Sequence, residues 1–329
     1  MPQTKDVVDA IRQYGDFLLV CHIFPDGDAI GSLLAMRLAL MGLGKKVRVA
    51  CDDDIPDSYT FLPGADQILK PVDINSRPDV VVSLDSSDRE RLGKIQDLLA
   101  GWNSPVINID HHVTNDHFGH YNYVLPDAAA TGELVYQIVQ DLGVDITQDL
   151  ATCILTAIIS DTGSFRYCNT TGRSLSIAAR LVDLGASPSH ISMFIFETRS
   201  YYSVKLLGRV LDKLQTTCER RVAWAEVTRK DLAEFDVAES ETEGFINYPR
   251  MIKGVECALL FREGKDGKIH VGFRSRDPID VAAIARHFGG GGHARAAGCI
   301  VEGSMDEVRG RVLDLVCRVV ASGRSNTDS

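Results

Sequence analysis

The chain has 329 residues, 45% of them hydrophobic and 24% charged, which is enough for two ordinary domains and unlike a disordered or fibrous sequence. A net charge of -10 argues against a basic face that grips long nucleic acid through many phosphates, so an anionic substrate would need a local source of positive charge. No apolar run approaches the ~20 residues that span a bilayer, and the opening MPQTKDVVDAIRQYGD has no basic flank leading into an apolar signal core, so a cytoplasmic protein without membrane contact is expected.

In chain order, DFLLVCH (16–22), KKVRVACD (45–52), DVVVSLDSS (79–87) and PVINIDHH (105–112) are short, apolar and β-branched, as strands buried on both faces are. AIGSLLAMRLALMGLG, SDRERLGKIQDLLAG and ATGELVYQIVQDLGVD lie between and after them, with apolar residues at helical spacing and a glycine near each end. This βαβ rhythm predicts an α/β fold whose N-terminal part is a mainly parallel sheet flanked by helices. Helical patterns continue through QDLATCILTAIISDTGSF, GRSLSIAARLVDLGAS and SVKLLGRVLDKL. From about residue 214 the pattern changes to RRVAWAEVT, VECALLFRE and KIHVGFRSR, strands interrupted by one long helical region, then a helix, a glycine run and a closing helix. The expected organisation is a catalytic domain over 1–190, a helical linker over 191–213, a smaller mixed α/β domain over 214–322 and a disordered tail over 323–329. The eight cysteines form no C-x-x-C pair and sit mostly in apolar runs, so free buried thiols are expected, with no disulfide and no zinc finger.

Ligands of open parallel sheets bind beyond the carboxyl ends of the strands. Acidic and histidine clusters fall on or near such ends: His22, Asp26 and Asp28 after the first strand, Asp85 after the third, Asp110, His111 and His112 after the fourth, and Asp161 after a very apolar helix. Brought together, Asp26, Asp28, Asp85 and Asp161 would repel and be costly to desolvate unless cations neutralise them. Imidazole with carboxylate suits Mn²⁺, with Mg²⁺, Co²⁺ or Fe²⁺ as other candidates. Two such ions about 3.5 to 4 Å apart, bridged by a carboxylate, would provide a nucleophile near neutral pH and stabilise charge on a phosphoryl oxygen. The plain alternative for Asp28 and Asp85 is helix capping, and for His111 and His112 a pair of satisfied turn residues. All four clusters being merely structural is the weaker reading, because each interrupts an apolar segment where charge is expensive.

HIFPDGDAIGS, LDSSDRERLG, IDHH and SDTGSF in this order, with GGGGHARAAG near the C-terminus, resemble the DHH phosphoesterase superfamily, in the branch with a DHH-associated C-terminal domain. Over nearly the whole chain the similarity is greatest to the stand-alone nanoRNase/pAp phosphatases, which are related to RecJ exonucleases and cyclic-dinucleotide phosphodiesterases. The resemblance implies one Mn²⁺ on His22, Asp26 and Asp85 and a second on Asp28, Asp85, His111 and Asp161, with Asp85 bridging. It implies that Asp110 orients a histidine through its ring N–H and that His112 faces the substrate, protonating the leaving oxygen or stabilising the transition state. Alternation at a strand end agrees, since adjacent side chains point apart.

In HFGGGGHARAAG, glycines alone suggest a flexible loop or helix stop, but bare backbone N–H groups can also approach a phosphate, with His293 adding a donor. Arg274, Ser275 and Arg276 stand at a strand end, where an arginine fork suits a terminal phosphate. By resemblance Arg274, Ser275, Gly291, Gly292 and His293 form the substrate-binding surface. Arg276 is the less favoured choice, because alternation sends it to the face of Arg274 with Ser275 opposite. The implied activity is release of 5′-mononucleotides from very short RNA or dinucleotides, with dephosphorylation of pAp and without action on long nucleic acid. Alternatives are a c-di-AMP or pApA signalling phosphodiesterase, a pyrophosphatase, a processive exonuclease and a non-catalytic nucleotide-binding protein. A homodimer is implied by resemblance alone.

Overall fold

Helix α1 (Pro2–Gln13) buries Val7, Val8 and Ile11 and leads into β1 (Asp16–Cys21). The computed structural model describes residues 2–276 and 278–322, with the backbone alone at 2, 3 and 293. The chain divides after Thr198 into two units. The expectation of a disordered tail falls outside the described residues.

The first unit continues with α2 (Gly27–Gly42), β2 (Lys46–Ala50), β3 (Ile68–Leu69), β4 (Val80–Leu84), α3 (Ile95–Trp102), β5 (Val106–Asp110), β6 (Tyr121–Val124), α4 (Thr131–Leu142), α5 (Gln148–Asp161), α6 (Gly172–Asp183) and α7 (Pro188–Ser192). Its sheet has the order β3-β2-β1-β4-β5-β6 with every neighbouring pair parallel. The chain runs outward from β1 to β3, then returns to place β4 on the other side of β1. That reversal makes the carboxyl ends of β1 and β4 the natural binding crevice of the sheet. Along β1, Phe17, Leu19 and Cys21 enter the core shared with α2, α4 and α5, whereas Leu18 and Val20 enter the core under α3. Burial on both faces is why these strands read as unbroken apolar runs.

Helix α2 is buried almost all round along its first three turns, between the sheet and α5. Gly31 sets how close the two helices come, because a Cβ there would stand 2.6 Å from the Cys153 carbonyl oxygen and 2.9 Å from Ala157 N. The expected helix over 87–101 starts only at Ile95. Before it the chain turns at Gly93 (φ 57°), where a Cβ would strike Asp52 and Ile23. The short strands β3 and β6 carry too few residues to show a period and were not anticipated.

The second unit contains α8 (Tyr201–Asp212), β7 (Gln215–Thr217), β8 (Val222–Val227), α9 (Arg229–Phe235), α10 (Asn247–Met251), β9 (Cys257–Glu263), β10 (Ile269–Ser275), α11 (Val281–Arg286), β11 (Gly291–His293), β12 (Ala296–Val301) and α12 (Met305–Ser322). Its strand order is β11-β12-β10-β9-β8-β7, parallel only between β8 and β9. Alternate residues of β8 serve two cores: Val222 and Trp224 pack with α11 and α12, while Ala223, Ala225 and Val227 pack with α8 and its neighbours. Leu206, Leu207 and Val210 tie α8 into this unit. The single helical region expected between β8 and β9 is instead α9, a 3₁₀ turn (Glu239–Thr242) and α10. The fold is α/β as expected, a parallel sheet flanked by helices and a second, mixed α/β sheet.

One reading left open in the sequence is decided here, and the expectation of no disulfide needs correction. The glycine run does not form a plain loop, because Gly291–His293 pairs with β12. Gly290 and Gly292 allow this, since a Cβ on either would collide with the β12 backbone, at Gly298 and Ala296. Cys218 and Cys317 form a disulfide, their Cα atoms 6.0 Å apart; the other cysteines are free thiols. Their separation of 99 residues carries no local signal, and only the packing of α12 on the sheet brings the pair together. No helix among the described residues is long and apolar enough to cross a membrane.

Candidate metal centre

His22 follows β1, Asp85 follows β4 and His111 follows β5, three adjacent strands of the first sheet. Asp26 is the N-cap of α2, its Oδ1 accepting from the N–H groups of Asp28 (3.0 Å) and Ala29 (3.1 Å). The capping role is therefore real for Asp26. Asp28, in the first turn and fully buried, does something else: its carboxylate accepts from the N–H groups of Thr131 (2.6 Å) and Gly132 (3.0 Å) and from the Ser32 hydroxyl (3.0 Å). Two N–H groups at the start of α4 thus face a buried carboxyl group. Asp161 closes α5, and Asn169 fixes that turn by donating to the carbonyls of Asp161 (3.1 Å) and Ala129 (3.0 Å).

Asp85 stands at the centre, with a left-handed backbone at φ 60°, a costly conformation typical of functional positions. Its Oδ2 lies 3.4 Å from His22 Nε2 and its Oδ1 3.5 Å from His111 Nε2. His22 Nε2 is also 3.9 Å from Asp26 Oδ1, and His111 Nε2 is 3.6 Å from Asp28 Oδ2 and 3.2 Å from Asp161 Oδ2. Three triads result among the described residues, His22–Asp26–Asp85, Asp28–His111–Asp161 and Asp85–His111–His112, each with its ligand atoms within 4.8 Å of one another; the first two contain the proposed ligands alone. All six residues proposed as ligands are together.

The donor set fits divalent cations. His22 Nδ1 sits 2.7 Å from the Ile23 carbonyl and His111 Nδ1 3.1 Å from the Ala128 carbonyl. A carbonyl only accepts, so each Nδ1 carries a proton and each Nε2 faces the carboxylates as the atom that binds a proton or a cation. His112 also lies near Asp85, but its Nδ1 is committed to Asp110 Oδ1 at 2.7 Å, which leaves Nε2 as its reactive atom. Burial and the charges of Asp85 and Asp161 push Asp28 well above the usual carboxylate range. Burial opposes the His111 imidazolium, yet the hydrogen bond and charge of Asp161, with Asp28 and Asp85, raise its pKa well above the ordinary value. Burial likewise opposes the His22 imidazolium, and Asp85 and Asp26 outweigh it. In the metal-free centre His22, His111 and Asp28 thus favour bound protons, whereas, against burial, the three histidines hold Asp85 well below the usual carboxylate range; cations would take the protons' places.

The DHH family, N-terminal domain, matches residues 16–158, and the DHHA1 domain matches residues 219–322. The chain belongs to the DHH family. It is accordingly a phosphoesterase. It is 36% identical over 96% of its length to the bifunctional oligoribonuclease and PAP phosphatase NrnA of Thermus thermophilus, covering 93% of that protein. It is 26% identical over 94% of its length to the NrnA of Bacillus subtilis, described in the same words, covering 96% of it. The crystal structure of an exopolyphosphatase-related protein from Bacteroides fragilis superposes with a TM-score of 0.88 at 28% identity, covering 96% of each chain.

In the DHHA1 domain the sequence candidates separate. Arg274 and position 293 both pair with Ala296 and so share one row of the sheet, two positions from the row holding Gly291 and Gly298. The side chain of His293 lies outside the described residues. Ser275 does not share the face of Arg274: it is buried, and its hydroxyl donates to the Ile279 carbonyl at 2.6 Å, which shapes the turn into α11. Arg276 bonds backbone carbonyls through its own N–H (Glu256, 2.8 Å) and its guanidinium (Arg250, 3.3 Å).

Sequence reasoning missed the supports of the DHH centre. Thr131 also donates its hydroxyl to Asp85 Oδ1 at 2.9 Å. Asn115 donates to Asp110 Oδ2 (2.5 Å) and Asn108 Oδ1 (2.9 Å), fixing the carboxylate that holds His112. A hydroxyl and glycine at a helix start, ATGE, and a polar residue just beyond IDHH were the available signals.

Proposed function

We propose that the chain hydrolyses very short RNA, releasing 5′-mononucleotides, and removes the 3′-phosphate of pAp, with two Mn²⁺ ions preferred over Mg²⁺ or Co²⁺. The observation that carries this reading is Asp85, whose two carboxylate oxygens face two separate imidazoles. His22, Asp26 and Asp85 would hold one ion, and Asp28, Asp85, His111 and Asp161 the other; oxygen ligands with imidazole suit Mn²⁺. Bound there, the ions supply a water that ionises near neutral pH and positive charge against the phosphoryl oxygens. In the reaction a P–O bond forms to the water oxygen, the bond to the leaving oxygen breaks, and that oxygen takes up a proton. His112 would deliver it through Nε2, with Asp110, bonded to its Nδ1, stabilising the imidazolium from the other side. Arg274, Gly291, Gly292 and His293 are the groups proposed to receive the phosphate or base of the substrate. A Cβ at Gly291 would meet nothing within 4 Å, so the backbone there is open to close approach. The names of the Thermus and Bacillus relatives, oligoribonucleases that are also PAP phosphatases, support the substrate class.

The test is turnover with Mn²⁺ of pApA, a pentaribonucleotide, a long RNA, pAp, c-di-AMP and pyrophosphate at equal concentration, with products resolved by chromatography. Fast release of AMP from pApA and of mononucleotides from the pentamer, with the long RNA slow, is the expected result. Preference for c-di-AMP or pyrophosphate overturns it, as does tight binding of pApA without cleavage under any divalent metal.

A further inference from the structure

Of the motif LDSSDRERLG, the metal ligands take only Asp85. The rest of the stretch turns back onto the loop that runs from His22 to Asp26. The Ile23 N–H donates to the Arg91 carbonyl at 2.7 Å, and the Arg91 N–H donates to Asp88 Oδ1 at 2.9 Å. Leu92 is fully buried next in the chain, and Gly93 turns with a positive φ of 57° against Ile23 and Asp52. The backbone at position 91 is therefore held one hydrogen bond away from the residue that follows His22. Its side chain is not used in this docking. Arg91 is exposed, and its guanidinium makes no ion pair or hydrogen bond among the described residues. Arg12, Arg48 and Arg173 of the same unit are each matched to a carboxylate.

An exposed arginine is ordinarily only solvated. What sets Arg91 apart is where its charge acts. Burial and then the Arg91 guanidinium oppose the His22 imidazolium, against the hydrogen bond and charge of Asp85 and the charge of Asp26, which prevail. A guanidinium turned away into solvent would be screened from that buried ring. The Arg91 charge thus reaches a metal ligand, where it works against the binding of cations. A cation placed beside a cation-binding centre is favourable when an anion lies between the two.

We infer that Arg91 is a substrate-binding residue, whose guanidinium takes a phosphate oxygen of the substrate on the His22 side of the metal centre. This deepens the function proposed above and rests on it. The planar guanidinium offers parallel N–H groups to a phosphate, in charge-assisted bonds stronger than those of a neutral donor. Arg91 then supplies local positive charge that a chain of net charge -10 has to provide for an anionic substrate.

The test uses the full-length protein and the variants Arg91→Gln and Arg91→Lys, with three readouts. The first is KM and kcat for pApA with Mn²⁺. The second is calorimetric binding of inorganic phosphate to the Mn²⁺-loaded protein, and the third is calorimetric binding of Mn²⁺ itself. Arg91→Gln should raise KM and weaken phosphate binding about 10- to 100-fold, and Arg91→Lys, which keeps the charge but loses the fork, should fall between it and wild type. Mn²⁺ should bind Arg91→Gln as tightly as wild type or more tightly, because a repelling charge has gone. A brace of the loop would behave in the opposite way: weaker Mn²⁺ binding with a lower Tm in Arg91→Gln overturns the inference. Unaltered KM and phosphate binding in Arg91→Gln, with wild type active on pApA, overturn this inference alone. Wild type inactive on every nucleotide overturns the functional reading, and phosphate binding, which needs no turnover, then decides whether Arg91 holds an anion.

Discussion

The Thr131 hydroxyl donates to Asp85 Oδ1 at 2.9 Å while the Thr131 N–H donates to Asp28 Oδ2 at 2.6 Å. One residue at the start of α4 thus orients two carboxylates, Asp28 from helix α2 and Asp85 from the end of β4. Groups that bond a metal ligand from behind typically affect affinity by about 10- to 100-fold. Thr131→Ala should weaken Mn²⁺ binding by that factor, measured by calorimetry, and Thr131→Ser should restore most of it. Equal affinity in the Ala variant would show that the helix N–H groups hold the carboxylates unaided.

Cations should stabilise the first unit, because the folded centre gathers carboxylates that an unfolded chain keeps apart. At about 100 times its dissociation constant, Mn²⁺ should add roughly 2.7 kcal/mol per site, and EDTA should remove it. Asp85→Ala should lose most of this gain, since both ligand triads adjoin that residue. Differential scanning calorimetry with and without Mn²⁺ checks it; an undiminished shift in the variant would exclude a shared carboxylate.

The packing of α2 on α5 should set the geometry of the centre, since α2 carries Asp28 and α5 ends at Asp161. In an isolated helix Gly→Ala favours folding by about 1 kcal/mol. At Gly31 the sign should reverse, because the new Cβ would meet the backbone of Cys153 and Ala157. Overpacking of this kind costs about 1 to 3 kcal/mol. Gly31→Ala should therefore unfold at lower denaturant and bind Mn²⁺ less tightly, whereas a gain in stability would show that the helices can separate freely.

Reduction of Cys218–Cys317 should destabilise the second unit selectively. The bond closes a loop of 99 residues, and loss of such a cross-link costs about 2 to 5 kcal/mol. Thermal unfolding in a phosphine reductant should lower the transition of the second unit and leave that of the first, and Cys218→Ser should behave the same without reductant. Identical melting in both conditions would mean that the thiols are unpaired in solution.

The residue types of the centre were legible in the sequence because charge at the end of an apolar strand is a local, expensive event. His22, Asp85 and His111 each follow such a strand, and the βαβ rhythm alone implies that strand ends converge. The glycine run and Ser275 were harder. Gly291–His293 became a strand through its partner β12, and Ser275, which alternation already sets opposite Arg274, is taken up by the turn into α11, where its hydroxyl bonds the Ile279 carbonyl. Asp110 was legible as a partner of a histidine, but Asn115, which in turn fixes Asp110, was not.

The sequence by itself determined the α/β class, the family and the residue types that meet at the strand ends, because periodicity and motif are properties of neighbouring residues. Only the tertiary structure decided which groups hold those residues in place. Thr131 and Gly132 reach Asp85 and Asp28 across 46 and 104 positions, and Cys218 reaches Cys317 across 99. Hydrogen bonds and cross-links of that range depend on strand order and helix packing, and neither is written in any single stretch of the chain.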